Sequence, residues 1–462
     1  MTPAVRLPDG FAVRLHDDVV QGPVMRRGVR VLRLSSAARA LLTGRELAVS
    51  SLTSAVLAGR LLDLDLAVPL VPERFAGSLD DLTVVVPVRD RADGVDRLLA
   101  QLDGRVACVV VDDASHDARR LADVVRRHGA ELRRLERNLG PSGARNEGLR
   151  SIRTPFVAFV DSDVSVSAGD LERLLAHFGD PGLAAVAPRV RTRGGRRWFE
   201  RYEDASGALD LGPTPATVRP WSPVAYVPSA CLVARSSTID DGFDVGLRSG
   251  EDVDLVWRLL DAGWRVRHAP EVDAWHEGRT TVGSWLGRKT FYGSSAAGLA
   301  RRHGARVAPA VLTVPSAALV VAVALQRRWS WAAAAVLLGR IRRQVSADLP
   351  DVDSTTRTRV AASGLAVTAR QASDLALRHW WPVSLVLAVT SRRARRLLAL
   401  TAVADTGAAY VKADTTLDPV RFGAARRLDD AAYGAGVWWG AARDRSIRCL
   451  LPHRWPRGGA RS

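Results

Sequence analysis

Asp161 and Asp163, separated by one serine, close the apolar start of "VAFVDSDVSV" at residues 157–166. Hard oxygen ligands in this pattern suit Mg²⁺ or Mn²⁺, which usually take one or two carboxylates and complete their shell with a substrate's phosphate oxygens. The small serine keeps both acids accessible. A lone D-x-D also occurs at strand ends and helix caps, with Asp163 or Ser165 here able to cap a helix that starts near Ala168. Acids recur in comparable places: Asp90 follows "LTVVVPV", Asp112 and Asp113 end "VACVVVDD", and Glu251, Asp252 and Asp254 open "EDVDLVWRLL". At a helix start the dipole favours acids in any case. One that projects into a cleft can instead take the proton of an acceptor hydroxyl. In "VVVDDAS" the carboxylate either receives a nucleoside or, with Asp113 and Ser115 bonding their own backbone, the segment is only a turn. In "NLGPSGARNEGL" a glycine-bearing loop enters a helix whose N-terminus favours anions and whose Arg145 can reach a phosphate. His276 is either a third metal ligand or a packed histidine.

Such residues need a scaffold that brings them together. From residue 82, β-rich runs alternate with amphipathic helices, which predicts an α/β fold with a mostly parallel sheet and helices on both faces. Ligands gather at the carboxyl ends of strands in such sheets, where these acids stand. Residues 1–78 read as a small α+β domain, with strands in "FAVRLHDDVV" and "GVRVLRLS", helical patterns after them, and a linker in "LAVPLVPERFAGS". Beyond about residue 300 the chain becomes helical and hydrophobic. Val307–Leu325 carries no charge and, at about 1.5 Å per residue, approaches the roughly 30 Å of a bilayer core. "HWWPVSLVLAVT" followed by "SRRARR" has the aromatic and basic ends of an interfacial segment. The expectation is a membrane-associated region with a transmembrane helix, against the alternative of buried helices that Pro309 and Pro315 support. The expected division is thus 1–78, 79–300 and 301–462.

With 66 Lys+Arg against 49 Asp+Glu, the formal charge of +17 suits an anionic partner. The first domain mixes acids with bases and shows no basic recognition helix, so no nucleic acid is expected. Cys108, Cys231 and Cys449 are too scattered for a disulfide framework or zinc knuckle, and no apolar export signal opens the chain. These features place the catalytic part at the cytoplasmic face of the cell membrane.

Residues 82–300, through "VVVPVRD", "VVVDDAS", "GPSGARNEGL", "FVDSD" and "SGEDVDLVWRL", resemble glycosyltransferase family 2 with its GT-A fold. The resemblance implies a nucleotide-sugar donor and Mg²⁺ or Mn²⁺ held by Asp161 and Asp163, with His276 as a further ligand. It also implies donor contacts from Pro87, Asp90, Asp113, Arg145, Asp161 and Arg288, and Asp252 as the general base of an inverting transfer. The processive signature Q-x-x-R-W is absent, which argues against long-chain synthesis. Over its whole length, including "RLPDGFAV", "VPSACLVARSS", "RKTFYGSSAAGLA" and "LDDAAYGAGVWWG", the chain resembles glycosyltransferases of the mycofactocin system. That implies UDP-glucose as donor, premycofactocin as acceptor and a short β-1,4-linked oligoglucoside as product. The first domain resembles winged-helix peptide-recognition modules, which would bind a precursor peptide or other mycofactocin biosynthesis proteins. The alternatives are a family 2 enzyme with a lipid or cell-wall acceptor and a non-catalytic peptide-binding scaffold.

Overall fold

The computed structural model describes residues 6–22, 24–72, 77–193, 195–350 and 352–455. They fall into two compact units: Met1–His16, Ala40–Gly195 and Ser206–Gly278 in one, and Asp17–Arg39, Arg196–Ala205 and Arg279–Ser462 in the other. The segment 1–78 contributes to both. In the first unit β1 (Ala12–Leu15) is paired antiparallel on either side, with β4 (Glu46–Ala48) and β5 (Ala67–Pro69). In the second, β2 (Val24–Arg27) and β3 (Arg30–Arg33) form a hairpin followed by the short α1 (Ser36–Ala40). The helix α2 (Leu52–Asp63) starts on a capping box: the Ser54 amide donates to the Ser51 hydroxyl, and the Ser51 amide donates to the Ser54 hydroxyl. Residues 73–76 of the expected linker lie outside the described residues.

The main sheet starts with β6 (Leu82–Val88), which is buried at every position. Its alternation explains why. Val84, Val86 and Val88 pack with Leu98, Leu99 and Leu102 of α3 (Ala92–Leu102), while Val85 on the opposite face meets α5 (Gly140–Ser151). That second contact requires a glycine, because a Cβ on Gly148 would stand 2.3 Å from Val85 Cγ1. Between α3 and α5 lie β7 (Ala107–Asp112), α4 (Ala118–Arg127) and β8 (Glu131–Arg134). The chain continues through β9 (Phe156–Val160), β10 (Val164–Ser165), α6 (Ala168–Leu175), β11 (Leu183–Thr192), α7 (Trp198–Ser206), β12 (Ala216–Thr217), β13 (Cys231–Arg235), α8 (Glu251–Asp261) and β14 (Arg265–His276).

The sheet order is β10-β14-β11-β13-β9-β6-β7-β8, with β12 also paired to β14. Strands β8, β7, β6 and β9 run parallel, but β13 is antiparallel to both β9 and β11, and β10 and β12 are antiparallel to β14. The sheet is therefore mixed rather than mostly parallel. "CLVAR" of β13 is as apolar as its parallel neighbours, and a strand buried on both faces carries no sign of its direction.

The second unit is helical: α9 (Val282–Gly293), α10 (Ala296–His303), α11 (Val314–Leu325), α12 (Arg328–Asp348), α13 (Ser354–Asp374), α14 (Trp381–Thr390), α15 (Arg392–Tyr410) and α16 (Pro419–Arg443). A short parallel pair, β15 (Val311–Leu312) and β16 (His453–Arg454), accompanies them. Helices α9 and α16 touch through backbone. A Cβ on Gly293 would lie 2.1 Å from Tyr433 O, and one on Gly436 would lie 2.0 Å from Thr290 O, which accounts for the glycines of "KTFYG" and "YGAGVWWG". Beside them Phe199 and Tyr202 of α7 pack with Trp285 of α9 and Phe422 of α16.

The expected transmembrane helix is overturned: among the described residues no helix is long and apolar enough to cross a membrane. The uncharged run divides into a 3₁₀ turn ending at Val307, the strand β15 and the 12-residue α11, which spans only about 18 Å. Gln326 in the left-handed region, at φ 48°, ends α11 ahead of Arg327 and Arg328. Helix α14 has 10 residues, and the 21-residue α12 carries Arg340, Arg342 and Arg343.

Candidate active site

The site lies at the carboxyl ends of the strands in the first unit. Val88 is followed by Asp90 in the left-handed region at φ 58°, and Asp112, which ends the neighbouring strand, and Asp113 are followed by Ala114 at the same angle. An alanine there is strained backbone, of a kind that clusters in functional loops. The two turns hold one another. The Asp90 amide donates to Ser115 Oγ at 2.9 Å, while the Asp90 carboxylate accepts from the His116 amide at 2.7 Å and faces His116 Nδ1 at 2.9 Å. These bonds from His116, the backbone one first, hold the Asp90 carboxyl below its usual range. Pro87 is buried within β6, opposite Val111 of β7. Asp113 has both oxygens engaged, accepting from the amides of Leu139 at 2.6 Å and Gly140 at 2.9 Å. It thereby fastens the loop that starts α5, with Gly140 in the left-handed region at φ 76°.

Arg145 sits on the first turns of α5 and is 2 % exposed. Its Nη2 donates to Asp161 Oδ1 at 2.5 Å and its Nη1 to Glu251 Oε1 at 3.0 Å, with the guanidinium over the Phe243 ring. Burial alone would lower its pKa, but the neighbouring charges of Asp161 and Glu251 outweigh that and raise it. Asp161 directly follows β9, where its amide donates to Ala230 O, next to the start of the adjacent β13. Its side chain keeps about a third of its surface open, at 30 % exposure. Ser162 O lies so close to α3 that a Cβ on Gly94 would meet it at 2.1 Å, so this glycine lets the acidic turn pack down. The following helix α6 is capped by Ser167 in a capping box with Asp170, so neither Asp163 nor Ser165 takes the capping role open to them in the sequence. Strand β10 then pairs with the end of β14 and brings His276 Nε2 to 3.5 Å from Asp163 Oδ2.

Asp252 stands in the first turn of α8, after Gly250 at φ 80°. Its Oδ1 accepts from the Val253 amide at 2.8 Å and its Oδ2 faces the Ser229 amide at 3.4 Å. Burial, and then the negative charge of Glu251, push its pKa up to about 7 against the pull of these amides and of Arg145. A carboxylate poised there is suited to accept a proton near neutral pH. Asp254, the third acid of the group, is fully buried and accepts from Arg258 Nε at 2.9 Å, one turn along its own helix.

A metal was expected on Asp161, Asp163 and His276. Among the described residues, no group of three or more His, Cys, Asp or Glu is gathered as a metal cage. Asp161 and Asp163 nonetheless fit a Mg²⁺ or Mn²⁺ ion that takes one or two carboxylates and leaves its other positions to a diphosphate. Arg288 belongs to the second unit, on α9, where its guanidinium lies over the rings of Phe291 and Tyr292.

Residues 83–241 match the family described as Glycosyl transferase family 2. A pre-mycofactocin glycosyltransferase of Mycobacterium tuberculosis is 42% identical to this chain over 472 residues, covering 97% of this chain and 99% of the relative. The chain belongs to the pre-mycofactocin glycosyltransferase family. An uncharacterized glycosyltransferase of Mycobacterium bovis is 33% identical over 187 residues, 40% of this chain and 82% of that protein. Among solved structures, a mannosyltransferase of Pyrobaculum calidifontis in complex with GDP-Man and Mn²⁺ covers 74% of this chain and 90% of its own, at 18% identity and a TM-score of 0.39. As a member of this family the chain is a glycosyltransferase, and its family 2 segment holds Asp90, Asp113, Arg145, Asp161 and Asp163. Asp252 and His276 lie beyond that segment and reach the site through α8 and β14.

Two residues of this site were not singled out from the sequence, and a third takes a different part in it. Asn146 receives the Phe243 amide on Oδ1 at 2.7 Å and donates Nδ2 to Phe243 O at 2.8 Å. Glu277 is held by Arg91 and Arg97 next to His276. The signal for Asn146 was its place beside Arg145 in "GARNEGL"; nothing in the local pattern marks Glu277. Ser115, expected to bond its own backbone in a turn, has its hydroxyl accept from the Asp90 amide and so ties that turn to the one at Asp90.

Proposed function

We propose that this glycosyltransferase moves glucose from UDP-glucose to premycofactocin and extends it into a short β-1,4-linked oligoglucoside, with inversion at the anomeric carbon. The observation that carries the reading is the half-buried acid Asp252 in the first turn of α8, raised to about 7 and adjacent to Glu251, which Arg145 ties to Asp161 at the end of β9. In this reading Pro87, Asp90 and Asp113 line the uridine, and Asp161, Asp163 and His276 face the diphosphate. Arg145 works beside Asp161, while Arg288 is assigned to the donor by family resemblance alone. A divalent cation bound at the acids supplies positive charge that stabilises the departing diphosphate.

The acceptor hydroxyl gives its proton to the ionised Asp252 carboxylate as its oxygen attacks the sugar's anomeric carbon from the face opposite the diphosphate. The bond from that carbon to the phosphate oxygen breaks, its electron pair leaves with UDP, and the configuration inverts. Asp252 is then protonated and returns its proton to solvent. No sugar becomes attached to the protein.

A role for the N-terminal segment in holding a precursor peptide, or other mycofactocin biosynthesis proteins, finds support in its three-stranded sheet, since β4 and β5 each pair with β1 on one side. An extended peptide can add to such an edge. The test of the main reading is mass spectrometry of a reaction with UDP-glucose, Mn²⁺ or Mg²⁺ and the premycofactocin aglycone. A ladder of hexose additions that disappears with a chelator is the expected result. Transfer only to lipid or cell-wall acceptors would replace the acceptor assignment, and binding of UDP-glucose without transfer to any acceptor would point to a scaffold.

A further inference from the structure

Glu251 has no part in the reaction as written, yet it is a carboxylate at 9 % exposure directly beside the base. Its negative charge there works against ionisation of Asp252, so its presence calls for a separate reason. That reason lies in its partner. Arg145 is gripped from two sides, by Glu251 through Nη1 and by Asp161 through Nη2, and its guanidinium lies 5.2 Å from the centre of the Phe243 ring. The ring is fixed in turn, because Asn146, the next residue of α5, closes a two-way pair with the Phe243 backbone. The planar guanidinium is therefore located by three elements before it meets Asp161: its own helix, the Phe243 segment and the start of α8.

We propose that Glu251 is a positioning residue of the transfer site, acting through Arg145 to hold Asp161 in place while leaving that acid available to a divalent cation. This rests on the reading of Asp161 as a cation-binding acid. The physical basis is competition. A cation and Arg145 both draw on the Asp161 carboxylate, and Arg145 is too deeply buried to be hydrated if Asp161 turns away. With Glu251 in contact, the guanidinium stays paired when Asp161 turns to the cation. Without it, cation binding would leave a buried guanidinium with no carboxylate in hydrogen-bond contact, which is strongly unfavourable.

The test uses the full chain and measures Mn²⁺ binding in the presence of UDP by electron paramagnetic resonance of the free ion, with no acceptor and no turnover. Glu251→Gln is expected to weaken Mn²⁺ binding by about 10- to 100-fold, the usual cost of removing a partner that orients a metal ligand. Glu251→Asp, which keeps the charge on a shorter arm, is expected to recover part of that loss. In a double-mutant cycle, Glu251→Gln is expected to have little further effect in an Arg145→Gln background. A purely structural Glu251 would lower the melting temperature in the Gln variant and leave its Mn²⁺ affinity unchanged. That outcome, in a wild-type chain that binds Mn²⁺ and transfers sugar, overturns the positioning role and leaves the transferase reading standing. A wild-type chain that binds no Mn²⁺ with UDP overturns the cation assignment and this inference together. If the Gln variant does not fold, the Asp variant is read in its place: a shorter arm that lowers the melting temperature yet binds Mn²⁺ as tightly as the wild type would also overturn it.

Discussion

The two units each bury a cluster of charge, and the clusters are built on different balances. In the helical unit, Glu203, Asp405, Asp429 and Asp430 meet Lys289, Arg378, Arg426 and Arg427 in a continuous chain of ion pairs, acid for base. In the sheet unit, Asp161, Glu251 and Asp252 share the guanidinium of Arg145. The first arrangement compensates its charges internally and links α7, α9, α15 and α16. The second leaves negative charge in excess at the end of a sheet, where desolvation first and the charge of Glu251 second raise Asp252 to about 7. A buried ion pair is therefore weak grounds for a site by itself; an unbalanced one beside an open acid is stronger.

Substitutions should separate the two clusters. Asp252→Asn is expected to lower turnover by about 10²- to 10⁴-fold, the range of a general base, with UDP binding kept and the melting temperature unchanged or raised, since a partly desolvated charge beside Glu251 is removed. A steady-state assay with a thermal melt checks both halves. Lys289→Met is expected to act in reverse. It leaves Glu203 and Asp429 facing one another without their shared cation, at a cost of about 3–5 kcal/mol of stability measured by denaturant unfolding, while turnover per folded molecule stays as in the wild type. Loss of transfer at full stability would undo this contrast by placing Lys289 in the chemistry.

Gly436→Ala should cost less, about 1–3 kcal/mol, because the new Cβ meets Thr290 O at 2.0 Å and α9 and α16 must shift apart. The same unfolding measurement reads it. The smallest effect expected is on pH. Asp252 is neutral below its pKa of about 7 and accepts a proton only when ionised, so kcat/KM should fall about tenfold between pH 8 and pH 6. Absence of that limb, with Asp252→Asn still inactive, would mean that another group limits the rate in this range.

Much of the sheet unit was legible in the residues. The runs "LTVVVPV", "VACVVVDD" and "PFVAFVDSD" did become adjacent parallel strands, with acids at their carboxyl ends. The antiparallel insertion of β13 was not legible, because a strand covered on both faces has the same apolar texture in either direction. In the helical unit, hydropathy alone pointed to a bilayer. It did not register that β15 interrupts the uncharged run, nor that Gln326 reverses the backbone where α11 ends. Gly293, Gly436 and Gly440 were visible as a pattern but acquired a reason only when α9 lay against α16.

Local sequence was enough to say which residues could carry charge at the ends of apolar strands and which segments would be strand or helix, because burial and periodicity act over a few neighbouring residues. It took the folded arrangement to bring Arg145 between Asp161 and Glu251, 16 and 106 positions away, and to consume Lys289 in an ion cluster of its own. Electrostatic compensation depends on distance in space. No local pattern of residues encodes which buried acid will find a cation and which will be left to titrate near neutral pH.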